Sequence, residues 1–203
     1  MIVALQAYII GGINGAIIAS KYIYRRDIRE LGSGNPGLTN FLRVFGKGGV
    51  VLVIIIDVAK TLGPVLIGGA LFSKYGYSPL SGRIFAGLFV MLGHAFPLFY
   101  KFKGGKTVLA VGVLLFSLDW RVSLIGWGIF IIIVATTRYV SLGSITGVWG
   151  YPIALALFRV GTVADLVIAI LCCTLLVIRH KENIVRLIHG EESKLSLKRT
   201  KKE

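Results

Sequence analysis

VSLIGWGIFIIIVATT, residues 122–137, contains no charged side chain and ends against Arg138. A helix through it covers most of the roughly 20 residues needed to cross the hydrocarbon core of a bilayer. Uncharged stretches of this kind recur at Met1–Ser20, at Ile84–Tyr100 apart from His94, and at Tyr139–Phe158. Of the 203 residues 55% are hydrophobic and only 16% are charged, whereas about a quarter of a soluble domain is charged. The chain reads as an all-α membrane protein that crosses the bilayer several times.

Seven apolar segments follow, at 2–23, 49–72, 84–100, 107–120, 122–137, 145–158 and 161–178. Lys21, Arg25 and Arg26 come after the first segment, the reverse of a signal peptide. That order predicts a retained helix with an external N-terminus. Seven spans from this start put eighteen Lys and Arg residues inside and four outside (Lys74, Arg83, Arg121 and Arg159), with Lys60 within segment two. The bias sets the C-terminus in the cytoplasm. Segments four and six are shorter than about 17 residues. Were both re-entrant, Arg138 and Arg121 would exchange sides and the count would stay at eighteen. Charge alone therefore permits five spans or seven. Residues 1–180 read as one integral membrane domain and 181–203 as a basic cytoplasmic tail.

The net charge of +14 suits anionic lipid or anionic small substrates. Nucleic acid is not expected as a partner, because no aromatic or fold-level module accompanies the basic tail. Cys172 and Cys173 are neighbours and point about 100° apart on a helix, so they read as packing residues, not as a disulfide or metal site. No metal and no cofactor is expected. Trp120, Trp127 and Trp149 read as interfacial anchors or packing residues. Asp57 and Lys60 lie three apart in segment two and are expected to pair, since an unpaired charge facing lipid is costly. Asp165 is expected to reach water at an outer helix end, and Asn14 to pack against its glycine neighbours.

Four loops carry most of the remaining polar chemistry. The first, LGSGNPGLTNFLRVFGKGG (Leu31–Gly49), offers backbone N–H groups around Gly32, Gly34 and Gly37. Thr39 or Asn40 is expected to cap a short helix from Asn40 to Phe45, with Arg43 adding a guanidinium that matches phosphate oxygens. The second, FKGGKT (Phe102–Thr107), joins Lys103, Gly104, Gly105 and Lys106 at the start of segment four, with His94 about two turns upstream in GHAFP. It is not a P-loop, because Tyr100 stands where that motif needs glycine. The third, RYVSLGS, sets Ser141 and Ser144 on one helical face. The fourth, RHKEN, carries Arg179, His180, Glu182 and Asn183 beyond segment seven, where Arg179 and Lys181 read most plainly as snorkelling cations. Each loop alone is an ordinary connector or helix end. All four on one membrane face would suit a phosphorylated ligand with a hydroxyl to be positioned.

Taken together, GSGNPGLTNFLR, Asp57 with Lys60, GHAFP then FKGGK, RYVSLGS and RHKEN resemble the PlsY family of bacterial acyl-phosphate:glycerol-3-phosphate acyltransferases. The resemblance covers almost the whole chain. It implies seven helices, a cytoplasmic active site in the bacterial inner membrane, and acyl transfer from acyl phosphate to the 1-hydroxyl of glycerol 3-phosphate. By that resemblance Ser33, Arg43, Lys106, Ser144, His180 and Asn183 line the glycerol-3-phosphate and reaction site. Asn35, Thr39, Asn40, Gly104 and Gly105 match loops that hold the acyl phosphate, with Gly34, Gly37, Lys103 and Ser141 beside them. A phosphate acyltransferase that makes acyl phosphate is the implied functional partner. Thr107, Leu38 and Thr61 stand where the family usually has glycine, alanine and glycine, and Thr107 is expected to cap segment four. The pattern of His, four residues, then Asp found in soluble-type acyltransferases is absent. The rival reading is a small membrane transporter for an anionic phosphorylated metabolite. It predicts polar groups near mid-membrane, whereas here they cluster at one surface.

Overall fold

The computed structural model describes residues 1–195, so Lys198, Arg199, Lys201 and Lys202 of the basic tail lie outside the described residues. Helix α1 (Ile2–Gly11) and α2 (Gly15–Tyr24) form one interrupted column. Asn14 makes the break: its extended backbone and side-chain oxygen cap α2 through the Ile17 amide at 2.9 Å. Its amide nitrogen also donates to the Pro36 carbonyl at 3.0 Å. Asn14 thus anchors the first loop to the break, a larger role than packing against glycine.

The loop leads into α3 (Leu38–Phe45) and then into α4 (Val50–Lys74), which continues through Pro64. Helix α5 (Pro79–Ala95) starts with Ser78 capping the Ser81 amide and Pro79 in its first turn, a position where the missing N–H of proline costs nothing. Helices α6 (Val108–Leu118) and α7 (Trp120–Thr137) meet at Asp119. The extended backbone of Asp119 ends α6, and its carboxylate caps α7 by accepting from the Arg121 amide at 2.8 Å. Next come α8 (Val140–Gly147), α9 (Gly150–Leu157), α10 (Val163–Arg179) and α11 (Lys181–Ile188). A capping box between Thr162 and Asp165 starts α10, and Asp165 also accepts from Ser81 Oγ at 2.8 Å. Asp165 is therefore buried and ties α10 to α5, contrary to the expectation that it reaches water.

Among the described residues, five helical stretches are long and apolar enough to cross a bilayer: Ile2–Tyr24, Val50–Lys74, Pro79–Tyr100, Trp120–Thr137 and Val140–Leu157. A sixth is counted if α10 and α11, which meet at 59°, form one bent span. The expected seven are not reached on this measure because Asp119 stops α6 at 11 residues, a rise of only about 16 Å. Segment six, drawn short from the sequence, gains length by starting at Val140. Met91, Leu114, Tyr151, Leu155 and Leu176 are fully or almost fully buried at the centre, beside the free thiols of Cys172 and Cys173. Leu124, Ile131, Ile132, Val167 and Leu171 instead face outward, the apolar exterior that a bilayer covers. Trp127 packs on Phe116 and Phe130 and donates to the Gly112 carbonyl at 3.2 Å, while Trp120 and Trp149 stay exposed.

A buried polar knot joins the helices beneath the loops. Lys60 Nζ lies 2.8 Å from Asp57 Oδ1, 2.7 Å from His94 Nδ1, and donates to the Ile13 carbonyl at 2.6 Å. Asp57 Oδ1 also accepts from the Gly15 amide at 3.1 Å. The expected pair is therefore formed, and it binds α4 to α5 and to the α1–α2 break. Above it, Gly104 N–H donates to the Ala95 carbonyl at 3.2 Å and Gly105 N–H to that of His94 at 3.0 Å. A Cβ on Gly104 would run into the His94 carbonyl, and one on Gly105 into His94 Nε2. These glycines let the second loop lie directly on the histidine.

Two outcomes follow for detergent-solubilised protein. Asp57→Ala leaves a buried ammonium without its counter-ion, and thermal unfolding should show a loss of about 3–5 kcal/mol. Gly105→Ala should cost about 1–3 kcal/mol through overpacking against His94, and a wild-type melting temperature for it would refute the close seating of that loop.

Candidate active site

One cavity of about 660 Å³ collects residues from all four loops. The first loop and α3 contribute Ser33, Asn35, Gly37, Thr39, Asn40 and Arg43, and the α5–α6 loop contributes Lys106. Ser141 and Ser144 come from α8, and His180 and Asn183 from the α10–α11 bend. Those eleven expected residues share the cavity. Gly34, Lys103, Gly104 and Gly105 do not line it.

The two glycine loops work differently from the expected nests of free N–H groups. Gly34 N–H donates to Leu31, Gly37 N–H to Asn35, and the Gly104 and Gly105 amides to Ala95 and His94. Asn40 accepts from the Ser33 amide at 3.0 Å and donates to the Leu31 carbonyl at 2.9 Å, so its side chain braces the loop. Gly37, not Thr39 or Asn40, holds the capping position of α3, and no side chain caps that helix. The first turn of α3, which no side chain caps, instead supplies backbone donors, since the earliest amides of a helix have no intrahelical acceptor. Thr107 occupies the cap position of α6 with a left-handed backbone (φ 65°) and makes no side-chain cap. That conformation suits glycine and is an outlier for a β-branched residue.

Arg179 also departs from its expected role. Its guanidinium donates to the Gly104 carbonyl at 2.9 Å and the Gly105 carbonyl at 3.2 Å, and its centre lies 5.3 Å from the Phe96 ring. It clamps the second loop from α10 instead of reaching toward a membrane surface. Lys103 and Glu182 are exposed and outside the cavity.

Charge in the cavity is arranged around Asn183. Lys106 Nζ donates to Asn183 Oδ1 at 2.5 Å, and Asn183 Nδ2 donates to Glu192 at 2.7 Å. Burial, helped by the nearby Arg186, pulls the Lys106 ammonium down to about 8. Burial likewise takes the His180 imidazole down to about 4, so it is neutral near pH 7. His180 Nδ1 lies 2.8 Å from the Leu176 carbonyl. A carbonyl only accepts, so Nδ1 carries the proton and Nε2 is left as an acceptor. Ser144 Oγ donates to the Val140 carbonyl at 2.8 Å, leaving its lone pairs for a ligand, and Ser141 Oγ is buried with no partner among the described residues. No nucleophile–base–acid relay appears among these groups: Ser144 donates to backbone and His180 to Leu176.

Several cavity residues escaped the sequence reading. Arg186 lies one turn beyond Asn183, and extending the helical spacing of RHKEN by three residues reaches it. Glu192 and Ser193 follow the end of α11 with no pattern to mark them, although both line the cavity. The boundary drawn after residue 180 thus divides residues that the fold brings together. Asp57, His94, Trp127 and Phe130 also reach the cavity wall.

Known proteins match this chain over nearly its full length. The family model described as glycerol-3-phosphate acyltransferase matches residues 1–190. The glycerol-3-phosphate acyltransferase of Thermoanaerobacter pseudethanolicus is 39% identical over 199 residues, covering 98% of this chain and 96% of that protein. That of Finegoldia magna is 40% identical over 201 residues, covering 96% of each. The crystal structure of PlsY, an integral membrane glycerol 3-phosphate acyltransferase, in its glycerol 3-phosphate form superimposes with a TM-score of 0.85 at 35% identity. The match covers 96% of this chain and 94% of that one. Its lysophosphatidic acid form gives 0.82 at 33% identity, covering 97% and 95%. The chain therefore belongs to the glycerol-3-phosphate acyltransferase family, that of PlsY.

Proposed function

We propose that the protein transfers a fatty acyl group from acyl phosphate to the 1-hydroxyl of sn-glycerol 3-phosphate, yielding lysophosphatidate and inorganic phosphate. Family membership supports the acceptor. The observation that carries the donor is the site itself: cations and hydroxyls around one cavity, with no activated side-chain nucleophile among the described residues. Acyl phosphate is a mixed anhydride whose phosphate already leaves well, so the protein needs only to position the hydroxyl and stabilise charge. The hydroxyl oxygen bonds the acyl carbon, the bond from that carbon to the phosphate oxygen breaks, and the hydroxyl proton passes to a phosphate oxygen. Arg43 and Lys106 hold phosphate, while His180 Nε2 and Ser144 accept hydrogen bonds and orient the acceptor. In this reading the polypeptide crosses the bacterial inner membrane seven times, with α6 a short span, an external N-terminus and the cavity at the cytoplasmic face. A phosphate acyltransferase supplies the donor.

An assay of purified protein with palmitoyl phosphate and glycerol 3-phosphate, reading phosphate release and lysophosphatidate by mass spectrometry, tests this directly. Lys106→Ala should lower turnover by about 10²–10³, the usual cost of one charge-stabilising donor. Uptake of glycerol 3-phosphate into vesicles without any lipid product would favour the transporter instead.

The pH profile adds a second test. Lys106 is charged below about 8 and neutral above it. Phosphate-dependent kcat/KM should therefore fall as pH rises through about 8, and Lys106→Arg should carry activity to higher pH. A phosphate monoester takes up its second proton near pH 6, whereas His180 titrates at about 4. An acid limb near 6 that survives in His180→Gln supports a phosphate oxygen as the base. A limb near 4 that vanishes in that variant assigns the proton to His180.

A further inference from the structure

Beyond α11 the chain turns back over the cavity. Gly190, with φ 73° and open space around it, makes the turn, and residues 191–195 run toward the α7–α8 junction. There the Leu195 amide donates to the Arg138 carbonyl at 2.7 Å, and Lys194 Nζ lies 5.6 Å from the Tyr139 ring. Between these two points the Glu192 carboxylate enters the cavity. One oxygen accepts from Asn183 Nδ2 and the other from Arg186 Nε, both at 2.7 Å. The carboxylate is mostly shielded, with 8% of its side chain exposed.

A carboxylate held by an arginine and an amide presents two anionic oxygens to two donors. A phosphate group offers the same donors a closely similar pair of oxygens and more charge. We propose that Arg186 is a further phosphate-binding residue of this site, and that Glu192 is an internal anion which the substrate phosphate displaces. This rests on the acyl-transfer reading, since it makes Arg186 serve one of that reaction's two phosphates.

Electrostatics supplies the reason for displacement. The counter-charge of Asp57 is already met by Lys60 in the knot below. Among the described residues, Arg43, Lys106 and Arg186 are the lysines and arginines lining the cavity, and Glu192 is the remaining carboxylate beside them. Two incoming phosphates bring about −1.5 to −2 charges each, and Glu192 then changes from counter-ion to repelling neighbour. Among the described residues the strap is tied at its far end by one backbone hydrogen bond and one cation–ring contact. At its near end the Glu191 and Glu192 amides donate to the Arg186 carbonyl at 2.8 and 3.2 Å, so it is the Glu192 side chain that must swing away. Opening frees the Arg186 Nε for a phosphate oxygen and leaves Asn183 held by Lys106. An unliganded site thus keeps Arg186 neutralised and in place, and the substrate completes the exchange.

The test uses the whole purified protein with inorganic phosphate as probe, reading the thermal shift against phosphate concentration, with kinetics in parallel. Glu192→Gln keeps the side chain's size and removes its charge, so it should lower the phosphate midpoint by roughly tenfold, the scale of one hydrogen bond to a charged group. Arg186→Gln should raise the midpoint by a similar factor and raise the KM for whichever substrate's phosphate it serves, either glycerol 3-phosphate or acyl phosphate. An unchanged or higher phosphate midpoint in Glu192→Gln overturns the exchange and leaves the strap as a brace for α11. An unchanged midpoint and unchanged KM values in Arg186→Gln remove Arg186 from the binding site. If wild type makes no lysophosphatidate while the phosphate midpoints move as expected, the acyl-transfer reading fails and the displaceable anion stands. Normal turnover with immobile midpoints does the reverse, keeping the acyl transfer and overturning the exchange.

Discussion

The ammonium of Lys60 is the constraint on which the site depends. It is buried within a helix long and apolar enough to span a membrane, where an unpaired charge would be prohibitive. Asp57 answers the charge, while the Ile13 carbonyl and His94 Nδ1 take up its remaining donor directions. Each partner belongs to a different part of the framework, so satisfying one charge ties three helical columns together. The consequence reaches the surface through His94, whose carbonyl receives the Gly105 amide and whose ring forms the floor beneath that glycine. Arg179 clamps the same loop from the other side through the Gly104 and Gly105 carbonyls. Lys106, the next residue, thereby projects from a loop with both its donors and its acceptors engaged.

Much of this was legible in the sequence, for physical reasons that differ from element to element. The apolar runs are long compared with their charges, so helices and their approximate limits could be read directly. The spacing of Asp57 and Lys60 announced a pair because burial leaves few alternatives. The loops were legible as a set, by their shared side and shared residue types, and most of their side chains do line one cavity. What failed was the role assigned to backbone. Glycine has two uses, exposing N–H groups and permitting close approach, and sequence does not distinguish them. Gly104 and Gly105 serve the second use. The length of α6 was not legible, because Asp119, an ordinary acidic residue between two apolar stretches, acts as a helix stop and start. Arg186 was within reach of helical periodicity, but Glu192 returns to the site through tertiary folding that no local pattern encodes.

The chemistry asked of the site matches what the framework can supply. A rigid platform with neutral His180, hydrogen-bonded Ser144 and a paired Lys106 has little capacity for covalent catalysis, but it holds groups in place. For the proposed acyl phosphate donor that is sufficient, because the barrier then lies in bringing a hydroxyl to a carbonyl carbon and accommodating charge on phosphate oxygens. The burial that lowers the Lys106 and His180 titrations has the same origin as the site's strength. Burial at Lys106 makes that cation harder to keep charged, and makes the charge it keeps act more strongly on a phosphate.

That trade sets a requirement on the empty enzyme. In the proposed reaction the cations must hold two phosphates, and they repel one another when both are absent. Solvent and salt screen the exposed Arg43, but reach the half-buried Lys106 and Arg186 less well. Here the polypeptide provides an anion of its own, carried on a segment that turns at a glycine beyond α11. A single negative charge is the useful amount: it is sufficient to steady Arg186, and less than a phosphate brings. The same reasoning explains why the anion lies beyond α11 and not on a core helix. A carboxylate fixed in the framework would remain beside the substrate and oppose it, whereas one on a strap can leave.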